Sequence, residues 1–168
     1  MNFAVLTVSD RCYKGICEDK SGPLITELLT PYGKIKEYIT VPDETEKIKK
    51  ALIYLCDDIK ADVIFTTGGT GFAPRDVTPE ATKSVIEREA PGIAEGIRQK
   101  SMTITPKAML SRALSGIRKK SLIINLPGSP KAVKESLEFV LPVIPHAVEV
   151  LSGDTLNCGG NYEKVVID

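Results

Sequence analysis

The sequence predicts one α/β domain of three layers, α/β/α, with helices covering both faces of a mostly parallel central sheet. Short continuous apolar runs, Phe3 to Val8, Val63 to Phe65 and Leu122 to Leu126, have the length and lack of alternation of strands buried on both faces. Segments of helical period separate them, the order expected of parallel strands joined by crossover helices. At 168 residues the chain has the size of a single domain that buries roughly 70% of its unfolded surface, so one core suffices and no linker or internal repeat divides it.

Phe3 to Val8 runs into the polar triplet Ser9, Asp10 and Arg11, and the loop from Cys12 to Lys20 is polar and expected to be mobile. Leu24, Ile25, Leu28 and Leu29 carry helical spacing, with Pro23 near the start and Gly33 as a stop. Ile35 to Val41 alternates as a strand, placing Ile35, Glu37 and Ile39 on one face, and stops at Pro42. Asp43 precedes the stripe Ile48, Leu52, Leu55 and Ile59, and with Glu46 it reads as a capping-box variant worth about 1 kcal/mol. After Val63 to Phe65 the chain breaks at Gly68, Gly69 and Gly71. It resumes with Thr78 as N-cap and Pro79 as first helical residue, in a helix expected to reach about Glu89 with Ala81, Val85 and Ile86 inward.

Ile93 to Lys100 predicts a second short helix and Ser101 to Thr105 a break. Thr105 and Pro106 then start a third helix carrying Met109, Ala113 and Ile117. Following Leu122 to Leu126, Ser129 caps a helix that begins at Pro130 and continues to Leu151, kinked by Pro142 and Pro145. His146 is expected as a helix-end residue rather than a catalyst, and Tyr162 to Ile167 is compatible with an edge strand.

Lys plus Arg equals Asp plus Glu, 22 of each, so no net field recommends a nucleic acid or a membrane surface as partner. The 42% hydrophobic and 26% charged content is that of an ordinary soluble protein. Phe3 to Val8 is too short for a signal-peptide core, and no run of about 18 apolar residues suggests a spanning helix. Cys12, Cys17, Cys56 and Cys158 form no C-x-x-C, and His146 is the only histidine, so reduced thiols in a cytoplasmic protein are expected and a structural zinc site is not.

The functional signal concentrates between Asp62 and Thr82. A buried strand feeding Gly68, Gly69 and Gly71 lets backbone N–H groups approach an anion without Cβ atoms in the way, and a helix start follows closely. The turn lacks the closing Lys-Ser or Lys-Thr of a Walker loop, and glycine turns of this kind also arise for geometric reasons alone. Arg75 and Asp76 sit just beyond it, the one suited to phosphate oxygens, the other to a magnesium ion or to a plain turn. Asp43 also lies at a strand's carboxyl end, so it is either a helix cap or the second carboxylate of a magnesium site with Asp76. Ser129 opens a second such turn, and paired anion-binding turns suit a ligand with more than one phosphate.

TVSDR (Thr7 to Arg11), VPDE (Val41 to Glu44), TTGGTG with RDVTPEAT (Thr66 to Thr82), TPKAMLSR (Thr105 to Arg112) and LPGSPKAVKE (Leu126 to Glu135) occur in this order. In that combination the chain resembles the molybdopterin adenylyltransferase family, from about Phe3 to Leu151, and TPKAMLSR is more similar to that branch than to its close paralogue. The resemblance implies Mg2+-dependent transfer of AMP from ATP to the terminal phosphate of molybdopterin. It places the catalytic, metal-holding carboxylates on Asp43 and Asp76. Substrate contacts would fall on Ser9, Asp10, Thr67, Gly68, Gly69, Thr70, Gly71, Arg75, Ser101, Arg112, Pro127, Gly128, Ser129 and Lys131. It also implies a homotrimer and hand-off of the product to a molybdate-inserting protein. A non-catalytic molybdopterin-binding module and a nucleotide-cleaving hydrolase of the same fold are the competing readings.

Overall fold

Six strands form one sheet in the order β2-β1-β3-β6-β5-β4 in the computed structural model, which describes residues 1–153. β1 (Asn2–Val8), β2 (Lys34–Val41), β3 (Val63–Thr67) and β6 (Ser121–Leu126) pair in parallel. β4 (Arg88–Glu89) and β5 (Ser115–Arg118) extend one edge in antiparallel. Successive side chains of a strand point to opposite faces, so the continuous apolar runs feed two cores at once. Phe3, Val5, Val63, Phe65 and Ile124 pack beneath α2 (Ser21–Leu29), α5 (Pro91–Met102), α6 (Pro130–Val140) and α7 (Ile144–Ser152). Ala4, Leu6, Ile64 and Ile123 pack beneath α3 (Thr45–Asp57) and α4 (Thr78–Val85). The chain is therefore the expected three-layer α/β domain with a mostly parallel sheet, and a short helix, α1 (Asp10–Tyr13), follows β1.

Several local expectations are corrected. Asp43 is not a helix cap: α3 starts at Thr45, its N-cap residue is Glu44, and no side chain caps it. Ile35 and Ile39 face opposite cores, because the β1–β2 register shifts between Phe3 and Ala4 and the bulge reverses the alternation. Val77, not Thr78, is the N-cap of α4, which ends at Val85 rather than Glu89. α5 begins at Pro91, ahead of the expected Ile93.

The third helix expected from Thr105 is a 3-10 turn, Pro106–Leu110, that Thr105 caps through Lys107 N–H. Ala113 and Ile117 belong to a loop and to β5 instead, the helical spacing having been coincidental. At Gly116 a side chain would meet Ile86 Cδ1 at 2.5 Å, so this strand passes against the end of α4 only because it is bare there. The expected interruption at Pro142 is present, as a 3-10 turn, Leu141–Val143, between α6 and α7. His146 lies beyond that interruption, in the first turn of α7, at a helix end as expected. The Cys12 to Lys20 segment is not an open loop, since α1 and backbone bonds onto Arg11 O occupy its first half. The proposed edge strand at Tyr162 to Ile167 lies outside the described residues.

Candidate active site

The loops leaving the carboxyl ends of β1, β2, β3 and β6 converge at one edge of the sheet, the position where open α/β sheets hold ligands. From β3 the chain enters Gly68 and Gly69 at φ of 94° and 64°. A Cβ at Gly68 would lie 2.3 Å from Val8 O, and one at Gly69 2.4 Å from Thr78 Oγ1, so only bare backbone passes between β1 and α4. A buried polar chain holds the turn from behind. Thr78 Oγ1 donates to Gly68 O at 2.9 Å and Thr82 Oγ1 to Thr78 O at 2.8 Å, while Asn125 Nδ2 reaches Thr66 Oγ1 at 2.9 Å and Thr82 Oγ1 at 3.0 Å.

Arg112 fixes the turn from the other side. Its backbone N–H donates to Thr70 O at 2.9 Å, its Nε to Gly71 O at 2.7 Å, and its remaining nitrogens reach Asp76 O and Glu80. Among the described residues, the amides of Gly69, Thr70 and Gly71 donate to no acceptor, which leaves a set of N–H groups of the kind that binds anions.

Asp43 and Asp76 approach this turn from separate segments. Asp43 Oδ1 lies 3.3 Å from where a Gly69 Cβ would stand, and Asp76 Oδ2 lies 2.9 Å from the equivalent point at Gly71. Asp43 Oδ2 accepts the Asp10 N–H at 2.7 Å, and Asp76 Oδ2 the Ala73 N–H at 2.8 Å. Burial pushes the Asp43 carboxyl above the usual carboxylate range against the Asp10 N–H bond, and the Asp10 and Asp76 charges add to the rise. Arg75 forks onto Asp10 at 2.6 and 2.9 Å and holds that carboxyl below its usual range. Carboxylates outnumber the guanidinium here, so negative charge is left over beside an anion-binding turn.

That combination fits magnesium. Mg2+ takes hard oxygen ligands, commonly one or two carboxylates with the rest supplied by water and substrate phosphates. Among the described residues no group of three or more His, Cys, Asp or Glu side chains is arranged to hold a metal by itself. An ion that takes most of its ligands from water and substrate phosphates would need no such group, and Asp43 and Asp76 are the side chains that would hold it.

Two crevices open from the glycine turn. The larger, about 420 Å³, is bounded by Thr70, Gly71, Asp76, Arg98, Ser101 and Pro127; the smaller, about 350 Å³, by Ser9, Cys12, Asp19, Ser21, Thr67 and Gly68. Gly128 borders both, and a Cβ there would stand 3.4 Å from Gly68 Cα, in contact with the glycine turn.

Most of the residues picked out by the sequence thus gather here, with some changed in role. Thr67 Oγ1 donates to Pro127 O at 2.7 Å and so ties the turns after β3 and β6 together. Ser129 Oγ accepts the Ala132 N–H at 3.3 Å as the N-cap of α6. Arg112 is committed to loop carbonyls. Lys131 borders neither crevice and points to solvent, 4.0 Å from Glu135.

Sequence reasoning missed Arg98, Asn125 and Asp19. Arg98 donates to Ser111 O at 2.9 Å and Ala113 O at 2.7 Å, shaping the wall of the larger crevice from α5. Asp19 accepts the Ser21 and Gly22 amides at 2.9 and 3.0 Å, an Asx pattern ahead of α2 that Asp19-x-Ser21 does signal in the sequence.

Residues 4–146 match the family described as "Probable molybdopterin binding domain". A molybdopterin adenylyltransferase of Helicobacter pylori is 48% identical over 157 residues, spanning 92% of this chain and 89% of the relative. Gephyrin of Dictyostelium discoideum is 46% identical over 159 residues, which are 88% of this chain and 22% of that protein. The molybdopterin biosynthesis enzyme MoaB from Thermus thermophilus has a crystal structure that matches with a TM-score of 0.84 at 47% identity, over 90% of this chain and 96% of that one. With a matching domain over most of its length and relatives at this identity, the chain belongs to the molybdopterin adenylyltransferase family.

Proposed function

We propose that this protein transfers AMP from ATP to the terminal phosphate of molybdopterin, with Mg2+, releasing pyrophosphate. The observation that carries this reading is the approach of Asp43 to Gly69 and of Asp76 to Gly71, on the turn that lies beside two crevices sharing Gly128. An adenylyltransferase must bring two polyanions together, and each crevice has room for one organic substrate with its phosphate directed to the common turn. The free turn amides hold phosphate oxygens in line for attack, a task of positioning and charge neutralisation that calls for little acid–base chemistry. Magnesium held by Asp43 and Asp76 would supply the neutralisation and accompany the pyrophosphate. Ser9 holds α1 through Cys12 N–H at 3.2 Å, keeping Asp10 and its Arg75 partner at the rim, where Arg75 meets incoming phosphate.

A binding module facing phosphate has no use for two unneutralised carboxylates, which is the reason to prefer the enzyme over that alternative. The test is pyrophosphate release on mixing the protein with ATP, Mg2+ and molybdopterin, alongside Asp43→Asn and Asp76→Asn. Release that requires molybdopterin and falls by at least about a hundredfold in either variant supports the reading. Pterin binding without release points to the module, and release without pterin to a hydrolase.

We further infer a cytoplasmic homotrimer that hands its product to a molybdate-inserting protein, with no nucleic acid or membrane as partner. Exposed Phe72, Met109 and Leu110, at 67%, 62% and 50%, supply apolar surface for association, and sedimentation equilibrium tests the assembly. Among the described residues no helix is long and apolar enough to cross a membrane.

A further inference from the structure

Cys12 and Cys17 have no part in the chemistry above, yet their Sγ atoms lie 3.1 Å apart. Both are half-buried free thiols, accessible to a small reagent, whereas Cys56 is 4% exposed inside the core. Backbone hydrogen bonds hold the turn that carries both. Ile16 N and Cys17 N donate to Arg11 O at 2.8 and 3.4 Å, Gly15 N to Cys12 O at 3.0 Å, and Ser9 Oγ receives Cys12 N–H at 3.2 Å. Gly15 completes the turn at a φ of 68°. An approach of about 1 Å brings the sulfurs to disulfide bonding distance.

We propose that Cys12 and Cys17 form a reversible intramolecular disulfide beside the smaller crevice, made by exchange with a small-molecule disulfide of the glutathione class, and that the bridge slows the enzyme. Contact with Cys12 pushes the Cys17 thiol up, which disfavours Cys17 as the first nucleophile. Cys12 loses its proton, its sulfur bonds to one sulfur of the oxidant, and that S–S bond breaks to release one thiolate. Cys17 then loses its proton and attacks Cys12 Sγ, releasing the second. The two protein thiols are oxidised to one disulfide, and the oxidant is reduced to two thiols that take up the two protons.

The bridge reaches the site through α1. Cys12 borders the crevice and lies on the same helix as Asp10, whose N–H bonds Asp43 at 2.7 Å and whose carboxylate holds Arg75. Beyond Cys17, Asp19 and Ser21 form the facing wall, anchored by Ser21 Oγ to Gly128 O at 2.8 Å. Drawing the sulfurs together pulls one wall on the other and shifts Asp10, and a displacement of about 1 Å near a reacting group can cost up to ~10²-fold in rate. This second half rests on the proposed AMP transfer; the covalent half does not.

The full chain is treated with oxidised glutathione, alkylated and digested with trypsin without reductant. Cleavage after Arg11, Lys14 and Lys20 leaves Cys12 and Cys17 on separate peptides, so only a bridge joins them. The expected result is the joined pair as the main product, abolished by dithiothreitol, with Cys56 still free. Separate glutathione adducts, free thiols at both positions, or a bridge to Cys158 would overturn the assignment. In parallel, oxidation should lower AMP transfer in the wild type by roughly tenfold or more, reversibly, and leave the Cys12→Ser/Cys17→Ser double variant unaffected. A fully bridged protein with an undiminished rate, or an equal loss in the double variant, refutes the regulatory half and leaves the peptide map standing on its own.

Discussion

Gly68→Ala tests whether the glycine turn is bare by necessity. The new methyl would stand 2.3 Å from Val8 O, more than 1 Å inside ordinary contact, on backbone at a φ of 94°. Left-handed backbone costs a residue with a Cβ about 1–2 kcal/mol. Relief of the clash cannot come from a rotamer, because Val8 O belongs to the last residue of β1, a strand paired with β2 and β3. Overpacking against such a wall costs about 1–3 kcal/mol, giving a sum of roughly 2–5 kcal/mol. With a urea slope of about 2 kcal/mol/M, the unfolding midpoint should fall by about 1–2.5 M. Gly92→Ala is the control: at the second position of α5 nothing lies within 4 Å, so alanine should leave the midpoint unchanged or raise it by up to about 0.5 M, the equivalent of about 1 kcal/mol. If Gly68→Ala unfolds within about 0.3 M of the wild type, the steric account of this turn is wrong.

Asp43→Asn should separate stability from activity. The Asp43 carboxyl is pushed up by burial and by its acidic neighbours, so above the unfolded pKa its ionised form disfavours folding; the amide removes that penalty and still accepts the Asp10 N–H. Thermal unfolding without metal should occur at or above the wild-type midpoint while AMP transfer is lost, and a clear drop in midpoint would contradict the charge argument. Asp57 behaves oppositely: Arg118 and Lys119 hold its carboxyl down at about 2, so its contribution is present above the unfolded value and disappears as pH falls from about 4 towards 2. Urea midpoints across that window should fall less steeply in Asp57→Asn than in the wild type. Asn125→Ala deprives Thr66, Thr82 and the Leu114 N–H of a buried partner and should cost about 3 kcal/mol in denaturant titrations; a loss below about 1 kcal/mol would remove this residue as the anchor of the turn.

The parallel core was legible because it is written locally. Phe3 to Val8, Val63 to Phe65 and Leu122 to Leu126 must be apolar at every position when both faces are covered, and no helix of so few residues reads that way. The glycine turn and the Ser129-Pro130 helix start were legible for the same reason, since φ limits and caps act within a few residues. Where competing local signals existed, the reading failed. Met109, Ala113 and Ile117 mimic a helical stripe, and the β5–β6 connection through Lys119, at a φ of 52°, carries no Gly, Asn or Pro to announce a hairpin. Asp43 with Glu46 imitates a capping box while the side chain serves Asp10 and the site.

The sequence by itself determined the layered α/β class and the glycine turn after β3, because backbone conformation and hydrophobic pattern are short-range properties, while Asp43 and Asp76 were singled out by their place at strand ends and by the family resemblance. Tertiary structure decided that these acids share one turn, that Arg112 and Asn125 brace that turn, that Lys131 stands apart, and that Cys12 and Cys17 touch. Those are distances between segments remote along the chain, fixed only when strand order and register bring their ends together.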